Sequence, residues 1–180
     1  MNTEDRINRY EKLVSNTNLI RSIFISSIDL DDLGFFTAPA STKYHGAYSG
    51  GLFDHSLAVA EALVELTNKL GLRWERSASP YIVGLYHDLC KCDAYYSGIE
   101  TGTYKYNTNQ ILDGHGSKSI IIAQKYISLT DEEIACIRWH MGAYETDTKL
   151  WSYYNRAIKE YPNVLYTHTA DMIASKILGV

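Results

Sequence analysis

The dipeptide His87-Asp88 interrupts an otherwise apolar run, Ile82-Val83-Gly84-Leu85-Tyr86 before it and Leu89-Cys90 after it. Consecutive residues on a helix point about 100° apart. An imidazole and a carboxylate there can therefore aim at one shared point from the inner edge of a helix. Unpartnered polar groups are costly to bury, so a chain carrying this pair needs something in its core that binds both. A metal ion meets that need, provided that other helices bring further donors to the same point.

Helix signals dominate the chain. Residues 4–27 read as one or two helices with Ile7, Tyr10, Leu13 and Val14 at helical spacing, and 30–51 as a long loop punctuated by Gly34, Pro39, Gly46, Gly50 and Gly51. A helix is predicted over 52–70, stopping at Gly71, and another over 78–90 with Ser79 as its cap and Pro80 just inside its start. Between 92 and 113 the periodicity fails. Tyr95, Tyr96, Tyr104 and Tyr106 flank Gly98 and Gly102, the pattern of a small β-hairpin or an ordered flap. Helices follow over 115–128, then from the capping box begun by Thr130 with Glu133 toward His140, and over 147–160 and 163–178. The expectation is an all-α fold: a single domain spanning 1–180, a bundle of about six to eight helices with a hairpin insert near 93–113, and residues 1–32 as a helical segment packed on it.

Composition narrows the class of function. Of 180 residues, 46% are hydrophobic and 21% charged, and the formal net charge of −4 lacks the basic footprint of a nucleic-acid-binding surface. No apolar run approaches the ~18 residues of a membrane span, and the polar start has no signal-peptide core. Three cysteines without framework spacing fit a reducing, cytoplasmic setting, where Cys90, Cys92 and Cys136 are read as reduced structural thiols. The 15 tyrosines are read mainly as packing at the edge of a small core.

Four of the six histidines, His55, His87, His115 and His140, fall on or at the ends of different predicted helices. Asp88 joins the second of these, and Asp171 sits in the last helix among Ala170, Met172 and Ile173. Inward-facing histidines and carboxylates on separate helices can build a metal centre in a bundle core.

In that order the residues resemble the HD superfamily of metal-dependent phosphohydrolases, whose pattern is a histidine, a His-Asp doublet and a late aspartate. Here these are His55, His87-Asp88 and Asp171, with His115 and His140 in the places where members with two metals add two histidines. The segments His45-Gly46-Ala47-Tyr48-Ser49-Gly50-Gly51-Leu52-Phe53-Asp54-His55, Gly114-His115-Gly116 and Arg138-Trp139-His140-Met141-Gly142 are similar to HD hydrolases of bacterial and phage type. The resemblance covers roughly 35–178 and implies an HD-type helical bundle. It implies that His55, His87, Asp88 and Asp171 hold one ion, and that His115 and His140 hold a second with Asp88 bridging. Imidazoles with carboxylates suit Fe, Mn, Co, Ni or Zn better than Ca.

The reaction so implied is hydrolysis of a phosphate ester or phosphodiester of a nucleotide or short nucleic acid by a metal-activated hydroxide. Asp88 and Lys91 are the candidate catalytic residues. Lys91, three residues after Asp88, is expected to share its face and meet the phosphate if the helix persists. His45 and Lys118 are the further candidate substrate contacts, and His168 is read as supporting or packing. Two other functions use the same ligands: a di-iron oxygenase of the same fold, and a non-catalytic nucleotide-binding module.

Overall fold

The computed structural model describes residues 1–16, 21–97, 103–144 and 147–180. Among them are α1 (Thr3–Asn16), α2 (Ser27–Asp32), α3 (Gly51–Leu70), α4 (Ser79–Tyr86), α5 (His115–Ala123), α6 (Asp131–Trp139), α7 (Trp151–Glu160) and α8 (Asn163–Met172). The only sheet among these residues is an antiparallel hairpin of β1 (Tyr95–Ser97) and β2 (Tyr104–Tyr106), in register Tyr95 to Tyr106. The fold is thus all-α with a small hairpin insert. Gly98 and Gly102, expected at the turn, lie outside the described residues.

The long helix α3 is the spine. It buries Leu52, Phe53, Leu57, Val59, Ala60 and Leu63, and lies against α4 and α8. The approach of α4 is set by Gly84, because a Cβ there would fall 2.3 Å from Ala60 Cα. On one side of this pair, Tyr10, Phe35, Phe36, Phe53 and Leu85 form an aromatic-rich apolar cluster. On the other, Val59, Leu63 and Val83 meet Ile137 of α6 and Val164 and Ala170 of α8.

The N-terminal segment is tied in by two polar links. Arg6 is buried and grips Asp54 at the start of α3 through Nε–Oδ1 (3.1 Å) and Nη2–Oδ2 (2.9 Å). Tyr10 Oη donates to the Ile25 carbonyl (2.5 Å), Tyr86 Oη donates to Tyr10 Oη (2.7 Å), and Ile25 N–H donates to Tyr86 Oη (3.0 Å). Every polar atom of that buried triad is thereby satisfied.

Several helix ends differ from expectation. The helix expected over 78–90 stops at Tyr86. Asp88 leaves helical geometry at φ −113°, ψ 19°, and a 3-10 turn covers Leu89–Asp93. Ser79 does not cap α4, since Ala78 holds that position and Ser79 Oγ donates to Glu133 Oε1 instead (2.8 Å). Glu133 completes the capping box with Thr130 and receives two hydrogen bonds from Arg76 (2.8 and 2.6 Å). One buried carboxylate thus locks the start of α6 to the start of α4. The helix expected over 163–178 passes after Met172 into a π-helical stretch, Ile173–Leu178. The segment expected as loop over 30–51 begins with the end of α2, and a 3-10 turn, Thr148–Leu150, opens the helix expected over 147–160.

Candidate metal centre

Two of the histidines occupy the same local position. His87 ends α4 and His140 ends α6, each at the helix C-cap. Their Nδ1 atoms lie 2.9 Å from the Gly84 carbonyl and 2.8 Å from the Ile137 carbonyl, three residues back in each case. His55, on α3, makes the equivalent contact with the main-chain oxygen of Val180 (2.9 Å). A carbonyl only accepts, so Nδ1 carries the proton in all three rings. That tautomer leaves the Nε2 lone pair unprotonated and facing inward, as a metal-binding imidazole requires.

The inward atoms converge on Asp88. Its Oδ2 lies 3.4 Å from His87 Nε2 and 3.7 Å from His55 Nε2, whereas its Oδ1 lies 3.6 Å from His140 Nε2 and 3.7 Å from His115 Nδ1. Each carboxylate oxygen therefore faces a different histidine pair. Asp171, from α8, completes the first side with Oδ1 3.3 Å from His55 Nε2. His87 and His140 stack edge to face across the middle, ring centroids 4.9 Å apart.

Buried and hydrogen-bonded normally go together, and here they part company. His55 Nε2, His87 Nε2 and Asp88 Oδ1 are buried with no hydrogen-bond partner among the described residues. Orphaned acceptors of this kind are costly unless something satisfies them. A cation would do so, and three donor sets lie close enough to hold one: His55, His87 and Asp88; His87, His140 and Asp171; Asp88, Cys90 and His115. The residues present fit a divalent transition metal.

The electrostatics point the same way. Burial opposes ionisation of Asp88, yet Lys91 and the surrounding histidines hold its carboxyl well below the usual range. Asp171 is likewise depressed against its burial, chiefly by His55. Burial pushes the His87 imidazole down, favouring its neutral form. His115 is raised to about 10 by Asp88 and Cys90 beside it.

The other residues singled out from the sequence take varied places. Lys91 is at the centre, its Nζ 2.6 Å from Asp88 Oδ2, although the helix does not persist to carry it there. The 3-10 turn brings it back instead, with Lys91 N–H bonded to the Asp88 carbonyl (2.9 Å). His45 packs its ring 4.9 Å from His55, with its own Nε2 buried and unpartnered, and burial lowers it to about 4. Lys118 is buried but stands aside, ion-paired with Asp93 and bonded to Gln110 (2.5 Å). It lines a cavity of about 120 Å³ under the hairpin with Tyr95, Tyr106, Gln110 and His115. His168 Nδ1 bonds the His140 carbonyl (2.8 Å), steadying the turn after α6.

Cys90, read from the sequence as a structural thiol, has its Sγ 3.3 Å from His115 Nδ1 and forms a donor set with Asp88 and His115. A helix continued to residue 90 would have turned it about 200° from Asp88; the signal that the helix stops there is absent from the local sequence.

A second pair of close-packed helices carries the other two histidines. Gly116, one residue into α5 after His115, would place a Cβ 2.5 Å from the carbonyl oxygens of Ile137 and Arg138 on α6. Only glycine lets His115 approach His140 along that line.

No curated protein and no solved structure matches the chain significantly. The family profile of the HD domain matches residues 52–174, well over half of the 180-residue chain. That span contains every one of the six donors His55, His87, Asp88, His115, His140 and Asp171, and the chain belongs to the HD-domain family.

Proposed function

We propose that the protein is a metal-dependent phosphohydrolase that cleaves a phosphate ester or phosphodiester of a nucleotide or short nucleic acid. The observation that carries this reading is the two-sided Asp88, each oxygen facing its own pair of imidazoles, in a core where the inward nitrogens of His55 and His87 have no partner. In this reading His55, His87, Asp88 and Asp171 hold one divalent ion, and Asp88, His115 and His140 a second. Such ions lower the pKa of bound water and neutralise charge on phosphate oxygens.

The chain's own groups do the rest. Asp88 and Asp171 would counter the charge of the ions, Asp88 from between the two histidine pairs and Asp171 from beside His55. Lys91, a cation beside Asp88, is positioned to receive a non-bridging phosphate oxygen; burial works against its charge, but Asp88 raises its pKa well above the ordinary value. His45, neutral near pH 7 and packed on His55, is in this reading the contact to the leaving group. Lys118, held by Asp93 and Gln110, lines the cavity beneath the hairpin, and in this reading it meets the nucleotide beyond its phosphate only by exchanging those partners. An acidic chain without clustered lysine and arginine favours a small nucleotide over a long polyanion. No helix among the described residues is long and apolar enough to cross a membrane.

The test is metal analysis of protein purified without chelator, followed by anaerobic assay against nucleoside mono-, di- and triphosphates, dinucleotides and short single strands. About two transition-metal ions per chain and oxygen-independent release of phosphate or nucleoside are expected. Turnover that requires oxygen would replace this reading with an HD-fold oxygenase, and metal with ligand binding but no turnover would replace it with a binding module.

A further inference from the structure

Cys90 has no part in the function proposed above, yet its placement is fixed from two sides. Its thiol is buried, and its sulfur lies 3.3 Å from His115 Nδ1. Its main-chain N–H donates to Ser119 Oγ (3.0 Å). Residues four apart share one face of a helix, so α5 presents His115 and Ser119 together to the 3-10 turn of Leu89–Asp93. One side chain meets the sulfur and the other fixes the backbone that carries it. Cys90 and His115 also line the same cavity of about 120 Å³.

The second observation is Asp88 Oδ1. It belongs to a residue only 2% exposed, has no hydrogen-bond partner among the described residues, and faces His115 Nδ1 and His140 Nε2 at 3.7 and 3.6 Å. Donors about 2.0–2.3 Å from a tetrahedral ion stand roughly 3.5 Å from one another, as simple geometry on usual zinc bond lengths gives. The separations from His115 Nδ1 to Cys90 Sγ and to Asp88 Oδ1, and from Asp88 Oδ1 to His140 Nε2, are 3.3, 3.7 and 3.6 Å. The donor atoms of Asp88, Cys90 and His115 all lie within 4.8 Å of one another, so one ion can touch these three, while His140 reaches the same Asp88 oxygen from another side.

We propose that Cys90 is a thiolate ligand to the ion held by Asp88 and His115, and that it makes this position select a thiophilic metal such as zinc, cobalt or iron over manganese or magnesium. The sulfur–metal bond forms as the thiol proton leaves to solvent. Soft sulfur donors favour such ions, whereas an oxygen- and imidazole-only shell discriminates less. Cys92, two residues on, packs against the apolar cluster and serves as the control. The inference rests on the two-ion reading.

The experiment is titration of the chelator-stripped full chain with cobalt(II), read by absorption. A cobalt–thiolate charge-transfer band in the near ultraviolet is expected in the wild type and in Cys92→Ser, and is expected to vanish in Cys90→Ser while cobalt still binds. The zinc-to-manganese affinity ratio is expected to fall at least about tenfold in Cys90→Ser. X-ray absorption of the zinc-loaded wild type needs no variant and is expected to show sulfur at about 2.3 Å. Cobalt bound without the band, a band that persists in Cys90→Ser, or a zinc shell of nitrogen and oxygen alone overturns the thiolate ligand and leaves the phosphohydrolase reading standing. Failure to bind any metal overturns both.

Discussion

Lys91 Nζ lies 2.6 Å from Asp88 Oδ2, the same oxygen that faces His55 and His87, and both side chains are at most 10% exposed. The lysine therefore neutralises the carboxylate that a metal ion would share. Charge balance around Asp88 leans on this ammonium group, to which the proposed function also gives the substrate phosphate.

Replacing that ammonium separates its two roles. Lys91→Met leaves a buried carboxylate with less compensation, and breaking such a pair costs about 3–5 kcal/mol. The metal-free variant is expected to lose about 3 kcal/mol in urea denaturation, with most of it restored by divalent metal. Metal-loaded variant protein is expected to keep its ions and turn over about 10²-fold more slowly. Loss of the ions in this variant would remove the phosphate role assigned to Lys91.

Asp88→Asn should behave differently. The amide cannot supply two anionic oxygens to opposite histidine pairs, so metal content by elemental analysis should fall further than in Lys91→Met. Activity should drop about 10³-fold or more. Full metal retention would argue against the shared-carboxylate arrangement.

The metal-free protein should show a specific dependence of stability on pH. His115 is raised from 6.5 to about 10, so its contribution is fully present below about pH 6.5 and fades as pH rises toward 10. Asp171 is depressed below 3.8, so its contribution is present above about pH 3.8 and is lost as pH falls further toward the folded value. His115→Gln should flatten the alkaline limb of a stability–pH profile, and Asp171→Asn the acid limb. Each variant flattening neither limb would contradict these assignments.

Close helix approach can be tested with a single methyl group. A Cβ at Gly84 would sit 2.3 Å from Ala60 Cα, and one at Gly116 would sit 2.5 Å from two carbonyl oxygens of α6. Gly84→Ala and Gly116→Ala are each expected to cost about 1–3 kcal/mol or more. Gly84→Ala should loosen His55 against His87, and Gly116→Ala should loosen His115 against His140. Selective loss of one ion in each variant, read by calorimetric metal titration, is the expected pattern.

Much of this was legible from the chain because donor residues stand out against apolar helical surroundings. His55, His87, Asp88, His115, His140 and Asp171 stood out by their places on predicted helices and were assigned as a set through the resemblance to HD hydrolases, and the structure brings all of them within one cluster. Helix ends were less legible. Nothing local to Leu89-Cys90-Lys91 forces a helix to stop, yet Asp88 departs from helical geometry at the point where its carboxylate faces the histidines. That departure is what carries Lys91 and Cys90 inward. Ser79 shows the same limit: its residue type suits a cap, but a buried glutamate 54 positions away claims its hydroxyl. Such long-range competition leaves no periodic trace. The tautomers of His55, His87 and His140 were also beyond the sequence, since they depend on which carbonyl each ring meets after folding.

The hydroxyl chain running Tyr86 to Tyr10 to Ile25 gives the leading segment a stake in chemistry it never touches. Tyr86 is the residue immediately before His87, so any trimming that removes Tyr10 and Ile25 strands a phenol in the interior beside an imidazole whose aim matters. A shortened protein would still possess every donor by name. It would hold them with less constancy, and damage would first register as erratic metal occupancy before outright unfolding.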